Sequence, residues 1–525
     1  MIYVILYIIL CHIINLLIFV KATAMVSPKK YLLLAAFRAM GLVFNIASFL
    51  IVARYFGASQ ERDFFVVAMS VVTILPMLAY GSLNEIFRAK FVHIRETLGL
   101  EKATASARGV IFLVSAMSAA IIALGELKAD AIAEFFLSGS RSGSSIQLVL
   151  LIKILLPIIF FTQLSAFWIQ ALNCFNVYFI PEISGLFSNL INIVLVVLLF
   201  DKFGIFALVF SSYTSAVLLS VVLVFIVRKN IPGLISLRAW NLSAVRPYFL
   251  AALPFMLAYW AGQFAAVFEK KLSMGAGTGN VAILDYAQKL LSVPQGVIFG
   301  VAASILSPAL AKHYANKNTA DFTNELSSFY KIIFIMSAPC VFCMIFLPKE
   351  IGSVLFADKI SAHELNVFGA VVMIYGFGLL GVMHHVTFSQ ALIAQSKGLV
   401  VSIIALLNQI LILVCNITFA YKWGILGLAL SWSLWHVFSG FALMYSSGIL
   451  NRGHFFVILR LCGLYAPSFI AVWGINQILP ALTDLFKIIV NLIIFLSAMF
   501  IMMLILKFEE AKKIYQLAGF NVRNR

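Results

Sequence analysis

The sequence predicts an all-α membrane protein whose chain crosses the bilayer many times. Hydrophobic residues make up 63% of its 525 residues and charged residues only 11%, whereas the apolar share of a soluble domain is roughly 45 to 50%. Apolar runs of about 20 residues, the length that crosses the hydrocarbon core of a bilayer, recur along the whole chain. Because no polar stretch of domain size separates these runs, no soluble domain is expected.

From Met25 onward, these runs predict about fourteen transmembrane helices. The predicted spans are 31–53, 63–86, 107–125, 146–172, 178–200, 204–227, 246–268, 281–310, 328–347, 365–392, 399–421, 425–449, 456–479 and 486–506. Residues 1–24 hold a further apolar segment that lacks the basic flank of a signal peptide. Since two lysines follow Met25 just before a span, we interpret residues 1–24 as a mis-called start, with an extra helix as the alternative.

The positive charge of the chain indicates membrane topology rather than nucleic-acid binding. The formal net charge is +17, and with the predicted spans most Lys and Arg residues fall in one alternating set of loops. The side of a membrane protein that is richer in Lys and Arg is cytoplasmic, where basic loops also contact anionic lipid. We therefore predict a multi-pass protein with Met25 and the C-terminus both in the cytoplasm.

The predicted spans fall into an N-terminal six, a C-terminal six and a final pair. The basic loop between residues 228 and 246 is the natural seam. The predicted organisation is thus a lobe over 25–228, a lobe over 246–449, a helix pair over 456–506 and a basic cytoplasmic tail over 507–525. Repeated bundles of this kind are common in transporters that work by alternating access.

The two predicted lobes share an order of features that indicates matched bends. In the N-terminal lobe Asp63 precedes Pro76 within one span, and in the C-terminal lobe Asp285 precedes Pro294 and Gly296. Proline and glycine mark places where helices bend, so we predict hinges at Pro76, Pro294 and Gly296. The alternative is that membrane helices simply tolerate proline.

A few charged residues lie deep in predicted spans and form the candidate binding site. A charge near the bilayer centre costs about 2.5 to 3.5 kcal/mol on insertion scales, so such residues usually face a bundle interior or a water-filled cavity. Arg38 lies in the first span, and Asp285 and Lys289 lie one helical turn apart in the span 281–310. Two cations facing one cavity suit an anionic substrate. The alternative is that Asp285 and Lys289 only neutralise each other at i, i+4.

The sequence contains no motif of a catalytic or metal site. It has no G-x-S-x-G, no H-E-x-x-H and no ATP-binding loop, which favours a secondary transporter without a cofactor over an enzyme. Cys340 and Cys343 form a C-x-x-C inside a span, where packing is the favoured interpretation over metal or redox chemistry. His384 and His385 could shuttle protons, but helix packing is again the favoured interpretation.

Three segments carry a resemblance to a known family. They are ARYFGASQERDFFVVA (Ala53–Ala68), QALNCFNVYFIPEISGLFSNLIN (Gln170–Asn192) and DYAQKLLSVPQGVIFGVAASILSPALAKHYANKN (Asp285–Asn318). All three resemble the MurJ, or MviN, family of lipid II flippases, within the multidrug/oligosaccharidyl-lipid/polysaccharide exporter superfamily. The most specific part is Ala-x-Lys-Leu-x-x-x-Pro-x-Gly-Val at Ala287–Val297. The likeness runs from about Met25 to the C-terminus, with the same span layout.

The resemblance implies two six-helix lobes in a V shape around a cationic cavity, and a last helix pair with a groove for a lipid tail. It implies transport of an undecaprenyl-diphosphate-linked saccharide from the cytoplasmic to the outer leaflet of the bacterial inner membrane. Membrane lipid and enzymes of cell-wall or polysaccharide synthesis are the implied partners, and no nucleic acid is expected.

The family pattern also implies roles for individual residues. Asp63 matches the family's acidic residue after the Phe-Gly-Ala corner. Lys289 stands where an arginine is usual, and Arg38 stands for a first-span arginine. With Asp285, one turn from Lys289, these residues are the candidate substrate-binding residues.

Departures from the family pattern leave the glycan open. Ser48 and Pro76 stand where the family often has arginines, and Gln288 replaces the acid of an Asp-Arg-Leu run. A cavity with fewer cations should hold a headgroup of different charge or size. We predict lipid II as the leading substrate, with an exopolysaccharide or O-antigen repeat unit as the alternative. A drug or cation exporter of the same superfamily is a second alternative, although it would need acidic rather than basic cavity residues.

Overall fold

The structure, a computed structural model, describes residues 28–138, 145–175, 179–231, 245–302, 306–448 and 483–506, with short stretches around 177, 233–235 and 463–474. The regular structure of these residues is entirely helical. The helices are α1 (Pro28–Phe56), α2 (Gln60–Leu98), α3 (Leu100–Leu127), α4 (Ala129–Leu137), α5 (Ser145–Leu155), α6 (Ile158–Cys174), α7 (Phe179–Phe203), α8 (Phe206–Asn230), α9 (Arg246–Gly275), α10 (Asn280–Val301), α11 (Ser307–Ala315), α12 (Thr319–Phe346), α13 (Pro348–Phe356), α14 (Ala362–Ala394), α15 (Gly398–Ser446) and α16 (Asp484–Ile505).

These helices confirm the predicted all-α polytopic membrane fold. Every predicted span except 456–479 overlaps one of them. Within the described ranges, nine helices are long and apolar enough to cross a membrane, or ten if the bent α9 counts as one span. Residues 1–24 and much of the span 456–479 lie outside the described residues.

Helix α15 accommodates two of the predicted spans. It has 49 residues, which at 1.5 Å per residue is roughly 74 Å, more than twice the thickness of a hydrocarbon core of about 30 Å. Gly424 interrupts it with φ 56° and ψ −136°, a conformation that residues with a Cβ rarely adopt. The glycine therefore separates the spans predicted at 399–421 and 425–449.

Helix α2 also breaks in its interior. Tyr80 departs from helical geometry with φ −148° and ψ 16°, four residues after Pro76. Beside the break, Gly81 lets α9 approach closely, because a Cβ at Gly81 would lie 2.8 Å from the ring of Tyr259. The indole Nε1–H of Trp260 donates to the backbone carbonyl of Leu78 at 2.8 Å. The bend is thus held by side chains from α9.

The described helices form two compact units. The N-terminal unit comprises Ser27–Ile283 and Leu413–Ile425, and the C-terminal unit comprises Leu284–Ile412 and Leu426–Arg525. The lobe boundaries predicted from the sequence, 25–228 and 246–449, stay a prediction.

Aromatic rings fill the core of the N-terminal unit. Phe87 is fully buried, and its ring centroid lies 6.1, 5.4 and 5.7 Å from those of Phe91, Phe167 and Tyr248. Aromatic pairs at such distances add roughly 0.5 to 1.5 kcal/mol beyond their area burial. Because the rings come from α2, α6 and α9, the cluster holds these three helices together.

In the C-terminal unit, glycines bring α14 and α15 into close contact. A Cβ at Gly381 of α14 would collide with the backbone of Val437 on α15, and one at Gly440 would lie 2.7 Å from the Cβ of His384. Small residues at helix contacts let backbones approach closely in membrane proteins. This close approach places the aromatic and histidine side chains of the two helices next to each other.

The last described helix, α16, packs on the same unit. The ring of Phe495 stacks 4.4 Å from that of Phe342 on α12. Lys487 of α16 forms an ion pair with Glu350 of α13. Both apolar and ionic contacts therefore attach α16 to the C-terminal unit.

Candidate functional site

Helix α10 carries Asp285 and Lys289, two charged residues that the sequence predicts as part of the binding site. The Nζ of Lys289 lies 2.8 Å from the Oδ2 of Asp285, and the Lys289 side chain is 49% exposed whereas that of Asp285 is 18% exposed. An acidic residue four positions before a lysine is the favoured order for an ion pair on a helix. The structure thus joins Asp285 and Lys289 as a pair with its cationic end outward. A ligand that approaches α10 on this side meets the ammonium before the carboxylate.

Asp63, the third predicted site residue, lies at the start of α10 rather than on an open surface. Its Oδ2 accepts a hydrogen bond from the backbone N–H of Gly279 at 2.5 Å, and its Oδ1 accepts one from Ala282 at 2.7 Å. The Asp63 side chain is almost fully buried, with 1% exposed. The first N–H groups of a helix have no partner within the helix, and a carboxylate there also interacts favourably with the helix dipole. Asp63 of α2 therefore caps α10 through a tertiary contact.

The corner before α10 explains why this cap comes from another helix. Gly277 and Gly279 both have positive φ, at 122° and 83°, which turns the chain tightly between α9 and α10. The side chain of Asn280 is directed back to the carbonyl of Ala276, at 2.9 Å. The corner residues therefore leave the cap to Asp63.

Among the described residues of the N-terminal unit, Arg62 and Lys270 are also buried, and sequence reasoning did not single them out. Arg62 is 2% exposed and Lys270 is 8% exposed. The Arg62 guanidinium lies 5.4 Å from the ring centre of Phe65, and the Nζ of Lys270 lies 3.1 Å from the carboxylate of Glu269. The signal was present in the Gln-Glu-Arg-Asp run that opens α2, where three charges precede a long apolar stretch.

The C-terminal unit contains a cavity of about 360 Å³ next to the ion pair on α10. Its walls are formed by Gln288, Leu291, Gln295, Tyr375, Trp432 and His436. The two glutamines and the leucine share one face of α10, since they are spaced by three and four residues. The amide Nε2 of Gln288 donates to the hydroxyl of Tyr375 at 3.3 Å. Gln288, which the sequence marked as a departure from the family pattern, is thus a wall of this cavity.

Aromatic rings and a histidine form the opposite side of the cavity. The Trp432 ring centroid lies 5.2 Å from that of Tyr375 and 4.1 Å from that of His436. Sequence reasoning did not identify these three residues, because α14 and α15 supply them from distant parts of the chain. No periodic pattern marks a tyrosine and a tryptophan as neighbours across 57 positions.

Hydrogen bonds define the tautomers of His436 in the cavity wall and of His385, whose ring centroid lies 6.3 Å from that of His436. The Nδ1 of His436 lies 2.8 Å from the carbonyl oxygen of Trp432, and since a carbonyl can only accept, Nδ1 carries the proton. The hydroxyl of Ser439 donates to the carbonyl of His436 at 3.1 Å, so it accepts from the Nδ1 of His385 at 3.0 Å. In both neutral rings the Nε2 atom is therefore a hydrogen-bond acceptor.

The remaining predicted residues fall outside these clusters. Arg38 lies on α1, but its side chain is outside the described residues. Pro76 and Pro294 are buried within α2 and α10, and Gly296 is exposed on α10. The hinges predicted at these three positions stay predictions. Within the described part of the chain, no three His, Cys, Asp or Glu side chains come close enough to hold a metal ion.

Comparison with known proteins identifies relatives over most of the chain. The family model described as lipid II flippase MurJ matches residues 52–481. The chain is 24% identical over 450 residues to the lipid II flippase MurJ of Burkholderia cenocepacia, which covers 84% of this chain and 85% of that protein. It is 23% identical over 489 residues to the probable lipid II flippase MurJ of Buchnera aphidicola subsp. Schizaphis graminum, covering 87% and 93%.

Solved structures share the fold. A structure of lipid II flippase MurJ in an inward closed conformation superposes with a TM-score of 0.76 at 18% identity, covering 93% of this chain and 99% of that one. An inward-facing multidrug resistance transporter of the MATE family gives a TM-score of 0.65 at 15% identity, covering 78% and 94%. At these identities the likeness concerns the fold alone. The family is defined instead by the sequence model, which spans residues 52–481, and this protein belongs to the lipid II flippase MurJ family.

Proposed function

We propose that this protein moves a polyprenyl-diphosphate-linked saccharide, with lipid II as the leading substrate, from the cytoplasmic to the outer leaflet of the bacterial inner membrane. Family membership over residues 52–481 supports the proposal, as do relatives that carry the name lipid II flippase MurJ. The protein would act as a secondary transporter by alternating access, which needs binding and release but no covalent chemistry. Enzymes of cell-wall or polysaccharide synthesis would supply the substrate and consume it.

The observation in this chain that carries the proposal is the half-exposed ammonium of Lys289 in an apolar helix. A diphosphate is an anion with several acceptor oxygens, and hydrogen bonds between charged partners are roughly twice as strong as neutral ones. Lys289, and Arg38 on α1, are the proposed contacts of the diphosphate. Asp285 would hold the Lys289 side chain in position. Asp63, a substrate contact in the prediction from the sequence, would position α10 by accepting hydrogen bonds at its start.

Bending of helices would supply the change of access. Pro76 and Pro294 each remove one backbone N–H from a helix interior. Gly296, two residues after Pro294, has no side chain that would restrict bending of α10. We propose these positions as hinges that let α2 and α10 change curvature during transport.

Rescue and flipping assays test the proposed function. Expression of this chain should restore growth to bacteria depleted of their own lipid II flippase, and the purified protein in proteoliposomes should flip fluorescent lipid II. Liposomes without protein give the background rate. Flipping of an exopolysaccharide or O-antigen repeat unit without flipping of lipid II would replace lipid II as the substrate. Drug efflux without flipping of any lipid-linked saccharide would favour the exporter alternative.

Reporter fusions test the proposed orientation in the membrane. A reporter fused after Arg525 should be cytoplasmic, and one inserted near Ser140 should be periplasmic, because the loops rich in Lys and Arg stay in the cytoplasm. Paired fusions of alkaline phosphatase and green fluorescent protein at each site read the two sides. A cytoplasmic reading near Ser140 would show that the predicted number of spans before that residue is wrong.

A further inference from the structure

We propose that the cavity formed by Gln288, Leu291, Gln295, Tyr375, Trp432 and His436 binds a neutral saccharide ring of the transported lipid. This inference rests on the proposed function and adds to it a site for the sugar, separate from the contact of Lys289 with the diphosphate. The cavity volume of about 360 Å³ lies at the small end of the range of roughly 300 to 1,000 Å³ that is typical of small-molecule sites.

The charge of the walls decides between ligand classes. None of the six wall residues is acidic or basic at neutral pH apart from His436, whose Nδ1–H donates to a backbone carbonyl in its neutral tautomer. A buried charge without a partner is strongly unfavourable, so a diphosphate or a cationic drug does not suit this cavity. A purely apolar lipid tail does not suit it either, because two amides, a phenol and an imidazole make the walls polar as well as apolar. A neutral ligand rich in polar groups suits it best.

The hydrogen-bonding groups match a sugar. Each sugar hydroxyl both donates and accepts, and the amides of Gln288 and Gln295 offer both kinds of partner. The Nε2 of His436 adds an acceptor, and the Tyr375 hydroxyl adds a group of either kind. Leu291 and the partly exposed ring of Trp432 supply apolar surface for the C–H face of a pyranose, whose partly positive C–H hydrogens are attracted to the negative face of an aromatic ring.

The position of the cavity on α10 fits a sugar bonded to a diphosphate. Gln288 is the neighbour of Lys289 in the chain. Gln295 lies six residues after Lys289, which is about 9 Å along a helix. A diphosphate held by Lys289 would therefore present its first sugar to the wall formed by Gln288, Leu291 and Gln295. The exposed face of α10 would bind the diphosphate, and the adjacent face would bind the sugar.

Binding of two lipids that differ by one sugar tests the inference. The probes are undecaprenyl diphosphate and undecaprenyl-diphosphate-linked N-acetylglucosamine, titrated against the purified full-length protein in detergent. Wild-type protein should bind the sugar-bearing lipid about tenfold more tightly, which corresponds to one well-made hydrogen bond or stacking contact. Gln295→Leu and Trp432→Leu should remove most of this preference while leaving the affinity for undecaprenyl diphosphate unchanged. Gln295→Leu keeps nearly the same volume, and size-exclusion chromatography checks that each variant is folded.

Matched variants outside the cavity serve as controls. Trp435→Leu changes a tryptophan on the same helix, and Gln170→Leu changes a glutamine of the N-terminal unit; both should keep the full preference. Wild-type protein without a preference, or cavity variants that retain it, would overturn the inference. Protein that prefers the sugar-bearing lipid but flips no lipid-linked saccharide would refute the proposed function and leave the saccharide cavity standing.

Discussion

Replacing Lys289 by Gln should abolish the flipping of lipid II, and replacing Asp285 by Asn in the same protein should not restore it. The Lys289 side chain is 49% exposed but that of Asp285 only 18%, so Lys289→Gln alone leaves a largely buried carboxylate unpaired, which costs stability. The double mutant removes both charges, and an ion pair with an exposed partner is worth only about 0 to 1 kcal/mol. Loss of the pair should therefore cost little stability. Loss of a charged contact to a diphosphate removes about 1.5 to 3 kcal/mol per hydrogen bond, and it removes this energy only when substrate is bound. In the double mutant the expected defect is thus in transport, with little change in folding.

The measurement is the rate of flipping of fluorescent lipid II in proteoliposomes, with the amount of inserted protein checked by immunoblot. Lys289→Arg should keep much of the activity, because it retains the charge. Lys153→Gln is the matched control: Lys153 is 42% exposed and lies 3.8 Å from the carboxylate of Asp130, so it loses a similar ion pair away from α10. An active Asp285→Asn, Lys289→Gln double mutant would show that the two charges only neutralise each other.

Asp63→Leu should destabilise the protein strongly, whatever substrate it carries. The substitution leaves the N–H groups of Gly279 and Ala282 without their acceptors. Two hydrogen bonds to a charged group contribute about 3 to 6 kcal/mol together. Asp63→Asn should lose about half of this, since an amide has one acceptor oxygen and presents donors to the second N–H.

Thermal unfolding in detergent, followed by loss of the monodisperse species, measures both variants. Asp130→Asn is the control, because the Asp130 side chain is 81% exposed and its carboxylate lies 3.8 Å from the Nζ of Lys153, and such a surface ion pair contributes little stability. A transport defect in Asp63→Leu at wild-type thermal stability would contradict the capping role. It would instead favour direct contact between Asp63 and the substrate.

The sequence was most informative where the relevant spacing is short. The pair of Asp285 and Lys289 follows from their separation by four residues, and the structure joins them at 2.8 Å. The apolar runs likewise placed the helices, because the bilayer imposes their length. Both are local properties that a single stretch of chain contains.

Contacts between distant parts of the chain could not be predicted in this way. The acidic position of Asp63 is recognisable in the sequence, but its partner Gly279 lies 216 residues away. No pattern in either segment indicates the contact with the other. The cavity combines a face of α10 with Tyr375 and Trp432, which come from two other helices. Their meeting depends on the close packing of α14 and α15 at Gly381 and Gly440, which is a property of the assembled unit.

The cap on α10 has a consequence for the order of assembly during synthesis. Asp63 leaves the ribosome long before Gly279 and Ala282, so the early helices enter the membrane without the two donors that its carboxylate uses in the finished protein. The segment between Asp63 and Gly279 is long, but closing it costs only a little more entropy than closing one half as long. Its length therefore does not prevent the contact from forming late. A chain that stops after the first six predicted spans ends before both donors. The N-terminal unit therefore completes these two hydrogen bonds only after α9 and the start of α10 have been inserted. Its assembly thus depends on the glycine corner that precedes α10.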